Sequence, residues 1–133
     1  MKLAEQASRF VLVGAIGFLV DGGILTLLYH GFDVNLLHAR LVSFSAAVTV
    51  TWYLNRQHTF AAHKDANAVD EWWRYTLVNG IGALLNLGLF LWLVHRFAVL
   101  ATWPIVALAM AATVALVFNF FASRHLAFRA GQS

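Results

Sequence analysis

Asp21 is the residue whose type and position most clearly suggest chemistry. It lies inside an apolar run from Phe10 to His30. That is about 12 residues past Arg9, or roughly 18 Å at the helical rise of 1.5 Å per residue. A carboxylate at mid-membrane depth costs on the order of 2.5–3.5 kcal/mol, so it turns toward a bundle interior or a wet cavity. There it can offer a polar contact to a headgroup or exchange a proton. The plainer reading is a buried acid paired with another helix. Arg40 is the candidate partner, about 15 residues before Asn55 on an antiparallel helix and within about one turn of Asp21's depth. Facing inward, its guanidinium could take a phosphate through two parallel hydrogen bonds. Facing outward, it would snorkel to the far headgroups.

Other polar residues recur in pairs. Asn55-Arg56 and Ser123-Arg124 end two apolar runs, while Arg9 and Arg74 begin two others. Cations at helix C-termini suit the dipole and an anionic inner leaflet; their functional reading is phosphate capture, with Asn55 bonding headgroup oxygens. Asn79, Asn86 and Asn119 are costly in lipid and are expected to face other helices. For Asn79 the expectation is an interhelical hydrogen bond, and Asn86 matters more because it mirrors Asp21. Gly14, Gly17, Gly82 and Gly88, with Gly22 and Gly23, would let helices approach closely or kink. Ser43, Ser45, Thr49 and Thr51 give one run a polar side that either lines a groove or bonds backbone carbonyls.

Catalysis finds little footing. The six histidines occur at unrelated spacings with no metal-ligand pattern. There is no phosphate-cradling glycine loop and no nucleophile with a recognisable base. The chain reads as a non-enzyme without metal or cofactor.

The elements that must position these residues follow from composition. Of 133 residues, 61% are apolar and 11% are charged, with mean hydropathy +0.72. A soluble domain carries about 25% charged residues to cover its surface. With no cysteine, disulfides and thiolate chemistry are excluded. Four apolar runs, Phe10–His30, Leu36–Leu54, Tyr75–Val94 and Trp103–Ala122, are each about the length that crosses ~30 Å of hydrocarbon as a helix. Asn35 is placed to cap the second, Asn67-Ala68-Val69-Asp70 reads as a helix start, and Pro104 suits a first turn. Trp72 and Trp73 fit an interfacial belt.

Lys2, Arg9, Arg56, Lys64, Arg74, Arg124 and Arg129 fall on one side of these spans, and only Arg40 and Arg96 toward the other. The positive-inside rule then places both termini in the cytoplasm, and the excess of +3 reads as an orientation signal, not nucleic-acid binding. Residues 9–21 also align with 74–86. Arg9/Arg74, Leu12/Leu77, Val13/Val78, Ile16/Ile81, Gly17/Gly82 and Leu19/Leu84 are identical, and Asp21 faces Asn86. Residues 55–60 match 123–128 less strictly, whereas Arg40 faces Leu108. The expectation is an all-α integral membrane protein. A single domain over 1–133 holds four transmembrane helices as two parallel two-helix repeats, about 9–60 and 74–128, joined by a cytoplasmic loop 61–73.

Several pieces in order resemble the GtrA-like membrane proteins: Arg9-Phe10 through Gly14, Asp21, Tyr53-Leu54-Asn55-Arg56-x-x-Thr59-Phe60, Arg74-Tyr75 to Asn86, and Asn119-Phe120-x-x-Ser123-Arg124-x-x-x-Phe128. One position departs, with Ser123 where that pattern leads to Asn. The resemblance implies a small four-span protein of cell-surface polysaccharide pathways in the bacterial cytoplasmic (inner) membrane. It implies flipping of a polyprenyl-phosphate-linked sugar, such as undecaprenyl-phosphate-glucose in O-antigen modification. Asp21, Arg40, Asn55, Arg56, Asn86, Asn119, Arg124, Arg9 and Arg74 are then the candidates for substrate or lipid-phosphate binding. Two other readings stay open: a small proton-coupled exporter, and a non-transporting scaffold for a polyprenyl-phosphate glycosyltransferase. Four helices enclose little interior for a polar headgroup, so a homo-oligomer is expected, with a dimer favoured.

Overall fold

The computed structural model describes residues 1–129; residues 130–133, the end of the domain expected over 1–133, lie outside the described residues. Among the described residues the chain is all helical, with no β-strand. Its helices are α1 (Leu3–Thr26), α2 (Leu36–Leu54), α3 (Ala68–Arg96), the single-turn α4 (Ala98–Thr102) and α5 (Pro104–Ala122). Local chemistry sets their starts. Asn35 Oδ1 accepts from Leu37 N at 2.8 Å and Asn67 Oδ1 from Asp70 N at 3.2 Å, each satisfying an otherwise orphaned amide. Pro104 opens α5, where its missing N–H removes no helix bond.

Among the described residues three helical segments are long and apolar enough to cross a membrane: Leu3–Gly31, Ala68–Arg96 and Pro104–Ala127. The expected second span, α2, has the anticipated bounds and 19 residues, but it is not among them, since His38, Arg40 and its hydroxyl residues dilute its hydropathy. The first and third helices begin earlier than the apolar runs do, at Leu3 and Ala68, because helix geometry continues through their polar leading turns.

The buried positions are small and regularly spaced. Along α2 the seam is Ala39, Ser43, Ala47 and Thr51, and along α5 it is Ala107, Ala111 and Ala115. Every fourth residue is small, so α1 lies close along α2 and α3 close along α5. A Cβ added at Gly17 would collide with Thr51 Cγ2, and one at Gly82 with Asn119 Oδ1. Gly17 and Gly82 are aligned positions, as are Thr51 and Asn119. Large apolar side chains on the outer faces, among them Leu19, Leu84, Val99 and Ile105, are exposed, as a hydrocarbon solvent permits.

Three helices do not stop as plain α-helix. α1, α2 and α5 each widen into a π-helical turn, at Leu27–Gly31, Asn55–Thr59 and Ser123–Ala127. The second and third are closed by matching bonds, Phe60 N to Asn55 O at 2.7 Å and Phe128 N to Ser123 O at 2.8 Å. π turns tend to occur at functional positions, and these two turn Phe60 and Phe128 into the bundle.

Candidate polar cavity and its closed end

Between the helices lies a cavity of about 200 Å³. Its long wall is one face of α1, Phe10, Gly14, Gly17, Phe18 and Asp21, opposed by Phe44, Ala47, Val48, Thr51 and Asn55 of α2. Tyr75 and Asn79 from α3 and Leu116 and Asn119 from α5 complete it. The α1 and α2 sets recur at three- and four-residue steps, the spacing that keeps side chains on one helical face. A Cβ at Gly14 would meet nothing, so this glycine leaves the α1 wall open, whereas the space at Gly17 is taken by Thr51 Cγ2.

Asp21 stands at one end, and Arg40 pairs with it from outside the lining. Arg40 Nη1 lies 3.6 Å from Asp21 Oδ2, and the side chains are 52% and 25% exposed respectively. The separation is an ion pair longer than a hydrogen bond. Asp21 Oδ1 is buried with no hydrogen-bond partner among the described residues. Toward the other end Asn55 is fully buried, donating from Nδ2 to the Tyr75 hydroxyl at 3.1 Å and accepting from Thr59 Oγ1 at 2.8 Å. Asn119 Oδ1 likewise meets no donor.

Beyond Phe10 and Tyr75 the cavity ends in an aromatic knot. Phe60 and Phe128 stack at 4.9 Å and 19°, Phe10 meets Phe60 edge-on at 6.1 Å, and Tyr75 meets Phe128 edge-on at 5.7 Å. Phe120 packs on Phe10 at 5.5 Å. Phe60 and Phe128 are wholly buried, so the cavity is shut on this side.

The four remaining arginine candidates gather around the knot, not at the cavity. Arg9 Nη1 donates to His58 O at 2.9 Å, and Arg74 donates to Leu126 O at 3.1 Å and Ala127 O at 3.0 Å. Each thereby satisfies carbonyls at the end of a π turn, where the dipole favours a cation. Arg56 Nη1 is 2.6 Å from Glu71 Oε1, and Arg124 Nε donates to Gln6 Oε1 at 2.9 Å. Gln6 and Glu71 occupy equivalent positions three residues before Arg9 and Arg74. Each helix-end arginine thus reaches across to the first helix of the other half.

Glu71 was not foreseen as a site residue. It is fully buried, and it accepts from Trp52 Nε1 at 3.1 Å and from the Asp65 backbone N–H in addition to Arg56. Asp65 in the same connection accepts from Asn67 N at 2.9 Å and from Arg74 Nη2 at 2.9 Å. Those two bonds, Asn67's first, hold its carboxyl below the usual carboxylate range.

Of the sequence candidates, the fold brings Asp21, Asn55 and Asn119 to the cavity, Arg40 beside Asp21 outside the lining, and Arg9, Arg56, Arg74 and Arg124 to its closed end. Asn86 is half-buried and does not line the cavity. Asn79 bonds within its own helix, Nδ2 to Tyr75 O at 2.9 Å, where an interhelical partner was expected. Ser45 and Thr49 likewise return to carbonyls of α2, at Leu41 and Ser45.

Residues 9–128 match the family model described as GtrA/DPMS, transmembrane domain. No curated protein matches the chain.

Proposed function

The chain belongs to the GtrA/DPMS transmembrane-domain family, and from that premise we propose that it flips a polyprenyl-phosphate-linked sugar across the bacterial cytoplasmic membrane, without making or breaking a covalent bond. In this reading α2 crosses the membrane as a fourth span beside the three more apolar segments. The basic residues at the knot face the cytoplasm together with both termini. The prenyl tail stays among lipid chains while the headgroup enters the bundle. A homodimer and a polyprenyl-phosphate glycosyltransferase neighbour remain part of the proposal.

One observation carries it: a cavity lined in part by Asp21, Asn55, Asn79 and Asn119, with Arg40 paired to Asp21 just outside the lining, inside a bundle whose outer face is apolar. Polar groups are expensive at that depth and are retained where a pathway needs them. Arg56 and Arg124 are engaged by Glu71 and Gln6, so Arg40, half exposed beside Asp21, is the better placed cation for a lipid phosphate. The test is reconstitution into liposomes with a polyprenyl-phosphate hexose confined to one leaflet. Movement well above protein-free liposomes, reduced by Asp21→Asn, is expected. No movement under any imposed gradient would overturn the proposal.

A further inference from the structure

One unmatched carboxylate oxygen and a lining without a cation decide what the cavity can hold. Asp21 Oδ1, on a lining residue, is buried and meets no donor among the described residues, whereas the other unmatched lining oxygen, Asn119 Oδ1, is pressed against Gly82. Buried acceptors are ordinarily satisfied, and each one left over calls for a donor. Among the described residues no lysine, arginine or histidine lines the cavity, and the ionisable groups that do are the Asp21 carboxyl and the Tyr75 phenol. Arg40 is an ion-pair neighbour of Asp21 outside that lining, and half exposed. Phe10, Phe18 and Phe44 wall the space, and aromatic faces carry partial negative charge.

A phosphate is an acceptor and an anion. Placed in this cavity it would leave Asp21 Oδ1 unmatched and lie beside a carboxylate in low dielectric, which is the unfavourable like-charge arrangement. A polyhydroxylated ring has the reverse chemistry. Its O–H groups can donate to Asp21 Oδ1, and its C–H faces suit the phenylalanine walls. An ammonium substituent would serve Asp21 as well.

We propose that the cavity is a sugar site specific for neutral or amino sugars, that it rejects sugars bearing a carboxylate, and that the carrier phosphate remains outside it at Arg40. This rests on the translocation reading for the identity of the carrier lipid, but the sugar preference belongs to the cavity itself. The geometry divides the headgroup in two: Asp21 takes hydroxyls while Arg40 takes phosphate. The pair, at 3.6 Å, is loose enough for both partners to turn to the ligand.

Because the chain has no cysteine, a single one reports on the cavity. The full chain bearing Thr51→Cys, in nanodiscs, is treated with maleimide in the presence of methyl hexoside, methyl hexuronoside or inorganic phosphate. Asn79→Cys serves as a second reporter should the first fail to fold. The hexoside is expected to slow labelling at concentrations about tenfold below those at which the hexuronoside does so, with phosphate giving no protection at matched ionic strength. Asp21→Asn should bring the two sugars within about threefold. Equal protection by hexoside and hexuronoside, protection by phosphate, or protection by none of them would overturn the assignment. Translocation is scored separately with lipid-linked hexose and hexuronate. Movement of neither refutes the transport reading alone, whereas equal movement of both refutes the sugar preference alone.

Discussion

Phe60 and Phe128 stack on one another at 4.9 Å and 19°, and they are the same position of the two aligned segments. Their neighbours match as well: Phe10 meets Phe60 at 62° as Tyr75 meets Phe128 at 62°. A contact between equivalent residues is what an axis relating two halves produces, because each side chain on the axis finds its own counterpart. The π turns make this possible, since each places its terminal phenylalanine under the bundle.

Truncating either member of this stack should loosen both halves. Phe60→Ala and Phe128→Ala each remove a wholly buried ring and should cost ~3–5 kcal/mol. Thermal unfolding in detergent should show lowered midpoints for both and a similar size of loss for the two. A wild-type midpoint for either variant would mean that the ring does not carry the packing described.

The cross-linking arginines are chemically unequal. Glu71→Ala strips the buried partner from Arg56 and should destabilise by ~3–5 kcal/mol. Gln6→Ala removes a neutral acceptor from Arg124 and should cost about 1.5–3 kcal/mol, the range for a hydrogen bond to a charged group. A double-mutant cycle between positions 56 and 71 should return a clear coupling energy. Additive single losses would show that the two side chains do not act as a pair.

Much of this arrangement is legible from residue types. Asp21 and Arg40 could be paired because two rare charges at matching depth have few other options. The caps Asn35 and Asn67 follow from their place before apolar runs, and the helical bounds of α2 from its length. Glu71 and Gln6 were not legible. Both lie in polar leading turns, where a side chain reads as solvated, and only folding the tail of the other half over them removes them from water. The π turns leave no mark in periodicity, because one extra residue per turn over five residues does not disturb a helical pattern. The inward turn of Asn79 to its own Tyr75 carbonyl was hidden for a similar reason. An amide in an apolar helix is expected to seek a partner, but sequence does not say that the nearest free lone pair lies on its own backbone.

Asp65 gives the connection an acid-sensitive element. Its carboxyl is held below the ordinary value of 3.8 by the Asn67 amide and Arg74. A carboxylate depressed in the folded state contributes stability that is complete above 3.8 and is lost as pH falls through the lower, folded value. The stability difference between the wild-type chain and Asp65→Asn should therefore stay constant from pH 7 down to about 5 and shrink below 3.8. Unfolding midpoints across that range provide the measurement. A difference that grows on acidification would have the wrong sign for this contact.

The two halves offer their own control for the cavity's charges. Where the first has Asp21 and Arg40, the second has Asn86 and Leu108 at the aligned positions, and α3 packs along α5 as α1 does along α2. Asp21→Asn with Arg40→Leu converts the first half to a combination that the fold already accommodates. Because Asp21 and Arg40 are one-quarter and one-half exposed, their ion pair should contribute no more than about 1 kcal/mol after screening. The double variant should therefore unfold near the wild-type midpoint. In liposomes it should fail to move a polyprenyl-phosphate sugar, because the group that meets hydroxyls and the group that meets phosphate are both gone. Retained movement with normal stability would show that the pair is not part of the path. A collapse in stability would show instead that it serves the fold.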